Sequence, residues 1–147
     1  MALVEKTVLV HHTPEQMFNL VDSVERYPEF LPWCGGAEVL SRDANITRAK
    51  LHIDYHHIRQ DFTTENVKEY PGSMKITLVE GPFKNLDGVW HFRTLGKEAC
   101  KIEFRLHYEF SSKLLDAVFG KLFSYIANTF VEAFVKRAEI VYADIRA

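Results

Sequence analysis

The chain has almost no cysteine: Cys34 and Cys100 are the two thiols in 147 residues, far apart and outside any C-x-x-C pair. That excludes a disulfide framework and a cysteine-based metal site, and both read as buried thiols. It also lacks net charge. The formal value of −2 gives no signal for DNA or for an anionic membrane surface. No apolar run approaches the roughly 18 residues of a membrane span. Met1 to Val10 carries Glu5 and no basic region followed by a long apolar run, unlike a signal peptide, so the expected compartment is a reducing cytoplasm.

Chemistry-bearing motifs are missing too. There is no G-x-S-x-G, no P-loop and no H-x-x-x-H, so neither a nucleophile elbow, a phosphate cradle nor a helical metal pair is present. His11-His12 and His56-His57 are adjacent pairs, and neighbours on a strand point to opposite faces. No metal is expected. His91 and Asp87 are candidates for an acid–base pair, but nothing local requires one, and the expectation is a protein that is not an enzyme and requires no cofactor.

What is present is aromatic mass. Aromatics make up 13% of the chain, 11 of them Phe, which serves either bulky core packing or an apolar ligand site. With no break in composition, residues 1–147 read as one domain, expected to be monomeric. A chain of this size buries roughly 70% of its unfolded surface.

The last third, Ser111 to about Ala143, reads as one long amphipathic helix. Leu115, Val118, Phe119, Leu122, Phe123, Ile126 and, further on, Phe130, Phe134, Val135, Val141 and Tyr142 recur at steps of three and four. Ser111 or Ser112 supplies its cap. Upstream, Leu3–His11 reads as a strand and Thr13-Pro14-Glu15-Gln16 as a helix start. Two prolines in Tyr27–Cys34 predict a compact turn, and Gly35-Gly36 release the chain into a strand. From Ala37 to Phe110 the period becomes two, most clearly where Ile102, Phe104, Leu106, Tyr108 and Phe110 alternate with charged residues. Turn signals include Tyr70-Pro71-Gly72-Ser73, set for a type II turn. His56-His57-Ile58, without glycine, fits either a tight turn or the middle of a long strand. The order predicts an α+β domain, with a curved seven-stranded antiparallel sheet around a long C-terminal helix and two short helices after the first strand.

This order resembles the START-like, or helix-grip, superfamily of polyketide cyclases/dehydrases and lipid transport proteins. Tyr27-Pro28-x-Phe30-Leu31-Pro32-Trp33-Cys34 is similar to a signature of its coenzyme Q-binding family. Val79-Glu80-Gly81-Pro82-Phe83-Lys84-x-Leu86-x-Gly88-x-Trp90 resembles a second block, particularly of the bacterial RatA-type branch. The family implies two functions. One is non-catalytic binding of ubiquinone or a related isoprenoid or lipid, in support of respiratory electron transport. The other is a ribosome association toxin that binds the large subunit, blocks subunit joining and inhibits translation initiation. The first is the leading expectation and the second the alternative.

A ligand would lie between sheet and helix. Candidate strand residues are Phe62, Leu78, Trp90, Phe92, Phe104, Leu106 and Tyr108, and Phe119, Phe123 and Phe130 come from the helix. Thr64 and Asn66, inward-facing polar residues, need partners: each other, water or a ligand. Tyr27, Pro28, Phe30, Leu31, Pro32 and Trp33 form either a lid over the mouth or a rigid plug at one end. For ribosome contact the candidates are Arg48, Lys50 and Arg59.

Overall fold

The computed structural model describes residues 2–143. Its strands are β1 (Ala2–Val10), β2 (Cys34–Arg42), β3 (Ile46–Tyr55), β4 (Ile58–Glu69), β5 (Ser73–Glu80), β6 (Phe83–Thr94) and β7 (Cys100–Phe110). Helix α1 spans Pro14–Asp22, a 3-10 helix spans Val24–Glu29, and helix α2 spans Lys113–Val141. All seven strands form one sheet in the order β1-β7-β6-β5-β4-β3-β2, antiparallel throughout. The meander runs outward from β7 to β2, and β1 closes back onto β7 from Ala2↔Tyr108 to Val10↔Cys100. Every second residue of β7 is buried, because one face of the sheet lies under the helices and the other meets water.

Capping sets where the helices begin. Thr13 Oγ1 accepts from the Gln16 N–H, and the Thr13 N–H donates to Gln16 Oε1, a reciprocal capping box with Pro14 at the first helical position. At α2 the cap is Ser112, which accepts from the Leu115 N–H, while the Ser111 hydroxyl donates to the Pro82 carbonyl and ties the helix start to the β5–β6 turn. α2 is long and apolar enough to cross a bilayer by length and composition. Here its middle is instead a core helix, burying Phe123, Ile126, Ala127, Val131, Phe134 and Ala138 against the rest of the chain. Val118 and Val141, expected in the buried stripe, are half exposed, as is Tyr125. A rod of about 44 Å outreaches the sheet it packs on, so its first turns stand clear, with Leu114 at 73% exposure.

One open local reading is settled and two change. His56-His57 is a turn: Tyr55 pairs with Ile58, and both histidines have positive φ, 50° and 67°. Those are the dihedral signs of a type I′ hairpin, which usually recruits Asn or Gly. Gly35-Gly36 do not precede β2 but lie within it, at a register shift between Cys34 and Gly36. A β-carbon on Gly35 would stand 2.8 Å from Asp54 Cβ, so the absent side chain permits the strands to close. The Tyr70–Pro71 bond is cis, and the turn bond runs from the Gly72 N–H to the Glu69 carbonyl. Proline therefore sits third in a type VI turn and not second in a type II turn.

Gly35→Ala is expected to lower stability by about 1–3 kcal/mol in urea melts. Gly72→Ala, whose nearest neighbour would be 3.9 Å away, stays within about 0.5 kcal/mol of the parent.

Candidate functional site

The sheet and α2 do not meet everywhere. Between them lies a cavity of about 70 Å³. Tilted rings form part of its wall: Trp90 of β6 lies 4.6 Å from Phe104 of β7 and 5.8 Å from Phe130 of α2. Phe62, Leu106 and Phe123 also line it. Thr64 and Asn66 face the same cavity, and the Thr64 hydroxyl donates to Asn66 Oδ1 at 3.1 Å. Each thus meets the other, as two buried polar groups must. The Trp90 indole N–H, on a fully buried residue, has no hydrogen-bond partner among the described residues.

Four of the expected lining residues lie elsewhere. Phe92 is buried between Phe18 of α1 and Trp90. Tyr108 packs on Phe83, Phe110 and Phe123 at the far end of the core. Phe119 lines a separate small void there, and Leu78 is half-buried near Gly81. The three strand residues have the right alternation but the wrong height along the sheet, and Phe119 lies too early in α2, a position periodicity does not encode. The sequence reading passed over small and aliphatic wall residues such as Ala49, Leu51, Met74 and Ala127. The inward alternation of β3 carried a signal for the first two.

The Tyr27–Trp33 segment, the candidate lid or plug, packs against α2. Tyr27, Leu31 and Trp33 are buried, Phe30 is half-buried, and Pro28 and Pro32 face out. Tyr27 and Trp33 themselves line the cavity. The Tyr27 hydroxyl donates to the Val21 carbonyl. Burial, with Asp22 adding to it, holds the phenol far above its ordinary value, so it stays neutral. Phe30 packs edge-on against Phe134. Arg137 of α2 lies over the Phe30 ring and binds Glu29. Behind the plug the Cys34 thiol is raised by burial, and burial pushes Cys100 up to about 11. Both are poor nucleophiles at neutral pH.

On the outer face, cations alternate with carboxylates. Arg48 Nε lies 3.0 Å from Glu65, Arg59 Nε lies 3.5 Å from Asp54, and Lys50 stands opposite Glu38 in register. His52 has Asp61 at 2.6 Å from Nδ1 and Glu38 at 2.7 Å from Nε2. The three basic candidates therefore share a face threaded with acids, not a bare positive stripe. His91 and Asp87 are not a pair: Asp87 lies beside His107 at 3.9 Å, and His91 faces Glu103 across the strands. Among the described residues no group of three or more His, Cys, Asp and Glu gathers to hold a metal.

The family model for polyketide cyclase / dehydrase and lipid transport proteins matches residues 10–135. The chain belongs to this family. Its START-like fold recurs in the Zhui aromatase/cyclase from Streptomyces sp. R1128, with a TM-score of 0.77 at 18% identity over 94% of this chain and 93% of that one. Within the family, the chain is 43% identical to the ribosome association toxin RatA of Vibrio cholerae, over 98% of this chain and 100% of that protein. It is 29% identical to the mitochondrial coenzyme Q-binding protein COQ10 homolog B of Xenopus laevis, over 87% of this chain and 54% of that protein. In this member the cavity polar groups are Thr64, Asn66, Trp90 and the neutral Tyr27, with no carboxylate, imidazole or amine among its lining residues.

With a carboxylate at each ring nitrogen, His52 is held protonated above its ordinary value of 6.5, the Asp61 bond contributing most. Its contribution to stability is complete below pH 6.5 and is lost as pH rises through the elevated value. An NMR titration is expected to place its midpoint above 6.5, and Asp61→Asn to bring it down.

Proposed function

We propose that this chain associates with the large ribosomal subunit and blocks subunit joining, as a RatA-type toxin acting as a monomer in the cytoplasm. The observation that carries this reading is the end-to-end similarity to the Vibrio cholerae RatA protein, 43% identical along its whole length. Similarity to the quinone-binding relative is weaker, at 29%. The order of the two expectations from the sequence is therefore reversed. Arg48, Lys50 and Arg59 remain the proposed contact, and because carboxylates already neutralise much of that face, the salt dependence of binding should be shallow.

Co-sedimentation with purified large subunits at several salt concentrations tests this. The chain is expected to pellet with large subunits, and Lys50→Glu combined with Arg59→Glu to weaken pelleting several-fold and flatten its salt dependence. A chain that stays in the supernatant at low salt refutes the reading. Undiminished pelleting of the double variant moves the contact to another face.

A second reading, that the protein binds a hydrophobic small molecule such as ubiquinone without chemistry, is favoured by the cavity. It is apolar and carries one buried polar pair and one unsatisfied N–H. Its volume of about 70 Å³ is well below the roughly 300–1,000 Å³ of drug-sized sites, so a quinone ring requires the walls to move. Ala127→Leu, which fills the cavity from α2, is expected to keep stability within about 1.5 kcal/mol and to abolish retention of lipid in solvent extracts read by mass spectrometry. Equal retention by parent and variant places the lipid outside the cavity.

A further inference from the structure

Trp33 belongs to two spaces at once. Its ring lines the inner cavity, and it also lines an outer groove of about 340 Å³ between the plug and α2. The residue is only 3% exposed, and its ring is tilted against Phe130 at 6.3 Å. The groove is mixed in character. Phe30, Ala133 and Ile140 supply apolar surface, and Thr129, Glu132 and Arg137 supply polar groups. We propose that cavity and groove are two chambers of one binding site, partitioned by the Trp33 indole, for an elongated apolar molecule with a hydrogen-bond acceptor at its inner end. This rests on the hydrophobic-ligand reading above.

Three observations shape the proposal. First, Trp90, in the wall of the inner chamber, carries an indole N–H without an acceptor among the described residues, and an indole donates only. A neutral carbonyl or ether oxygen suits it, because the surrounding wall is apolar and a charge there would be costly. Second, neither chamber alone suits a long apolar molecule: the inner one is apolar but small, the outer one larger but mixed in lining. Joined, they offer an apolar interior and an amphipathic exit. Third, the backbone at the partition is anchored. The Asp54 N–H donates to the Trp33 carbonyl, the Cys34 N–H donates to the Leu31 carbonyl, and Glu29 is held by Arg137. The plug therefore stays in place, and opening comes from rotation of the Trp33 side chain. The lid and plug readings become one device, a fixed backbone with a swinging ring.

The chain has two tryptophans, so removing Trp33 leaves Trp90, in the wall of the inner chamber, as the sole tryptophan, read by excitation at the red edge where tyrosine does not absorb. Stopped-flow quenching of Trp90 by a decyl-substituted benzoquinone is compared between Trp33→Phe, which keeps a ring at the partition, and Trp33→Ala, which removes it. Association and dissociation are expected to be at least tenfold faster in Trp33→Ala. Ala133→Phe in the Trp33→Phe background narrows the groove and is expected to slow entry several-fold. If circular dichroism shows Trp33→Ala unfolded, Trp33→Leu replaces it. Full quenching at equal rates in the ring and ringless variants overturns the partition while leaving the ligand reading intact. Absence of quenching in every folded variant removes the ligand reading and the partition with it.

Discussion

A long helix with a broad apolar stripe must be covered, and the aromatic grip around Phe130 and Phe134 is what covers it. These two rings receive Trp90 and Phe104 from the sheet on one side and Tyr27 and Phe30 from the plug on the other. Each contact is edge-to-face or tilted, worth about 0.5–1.5 kcal/mol beyond area burial. Their sum locks α2 over β6 and β7. The same rings border the cavity, with aliphatic residues such as Leu51, Ile76 and Leu106 completing its wall, so the high Phe content serves both core packing and the cavity lining.

How far this was legible depends on the range of the interaction. The alternation in β7 and the capping box at Thr13 are local patterns, and both translate directly into structure. The pairing of Thr64 with Asn66 follows from their two-residue spacing on one strand and the cost of leaving either alone. Position along the sheet does not follow. Leu78 and Tyr108 alternate inward like Phe104, yet fall beside or beyond the cavity, because the tilt of α2 over the strands decides what it faces. The Gly35-Gly36 pair misled for a related reason: its meaning lies across the ladder, in Asp54 and His52, not along the chain. Val118 misled because periodicity marks a helical face but not the extent of the surface waiting for it.

Inside and outside pose different questions. The cavity is chemically spare: its lining residues include no carboxylate, imidazole or amine. The exterior of β3 and β4 is dense in charge but balanced, Arg48 with Glu65, Arg59 with Asp54, and His52 between two acids. Isolated surface pairs of this kind contribute little to stability. Arranged as a lattice on one face, they fix side-chain positions and leave a patterned surface, compatible with a partner that is itself patterned in charge.

The helix that fills the sheet comes after all seven strands in the chain, and β1 finds its partner only once β7 exists. During synthesis much of the oily face of the growing sheet lacks its covering helix until α2 emerges, with only α1 and the Tyr27–Trp33 segment available before it. Vectorial folding is therefore denied to this architecture. The nascent chain spends most of its elongation as a sticky intermediate, and protection from self-association has to come from speed or from helpers.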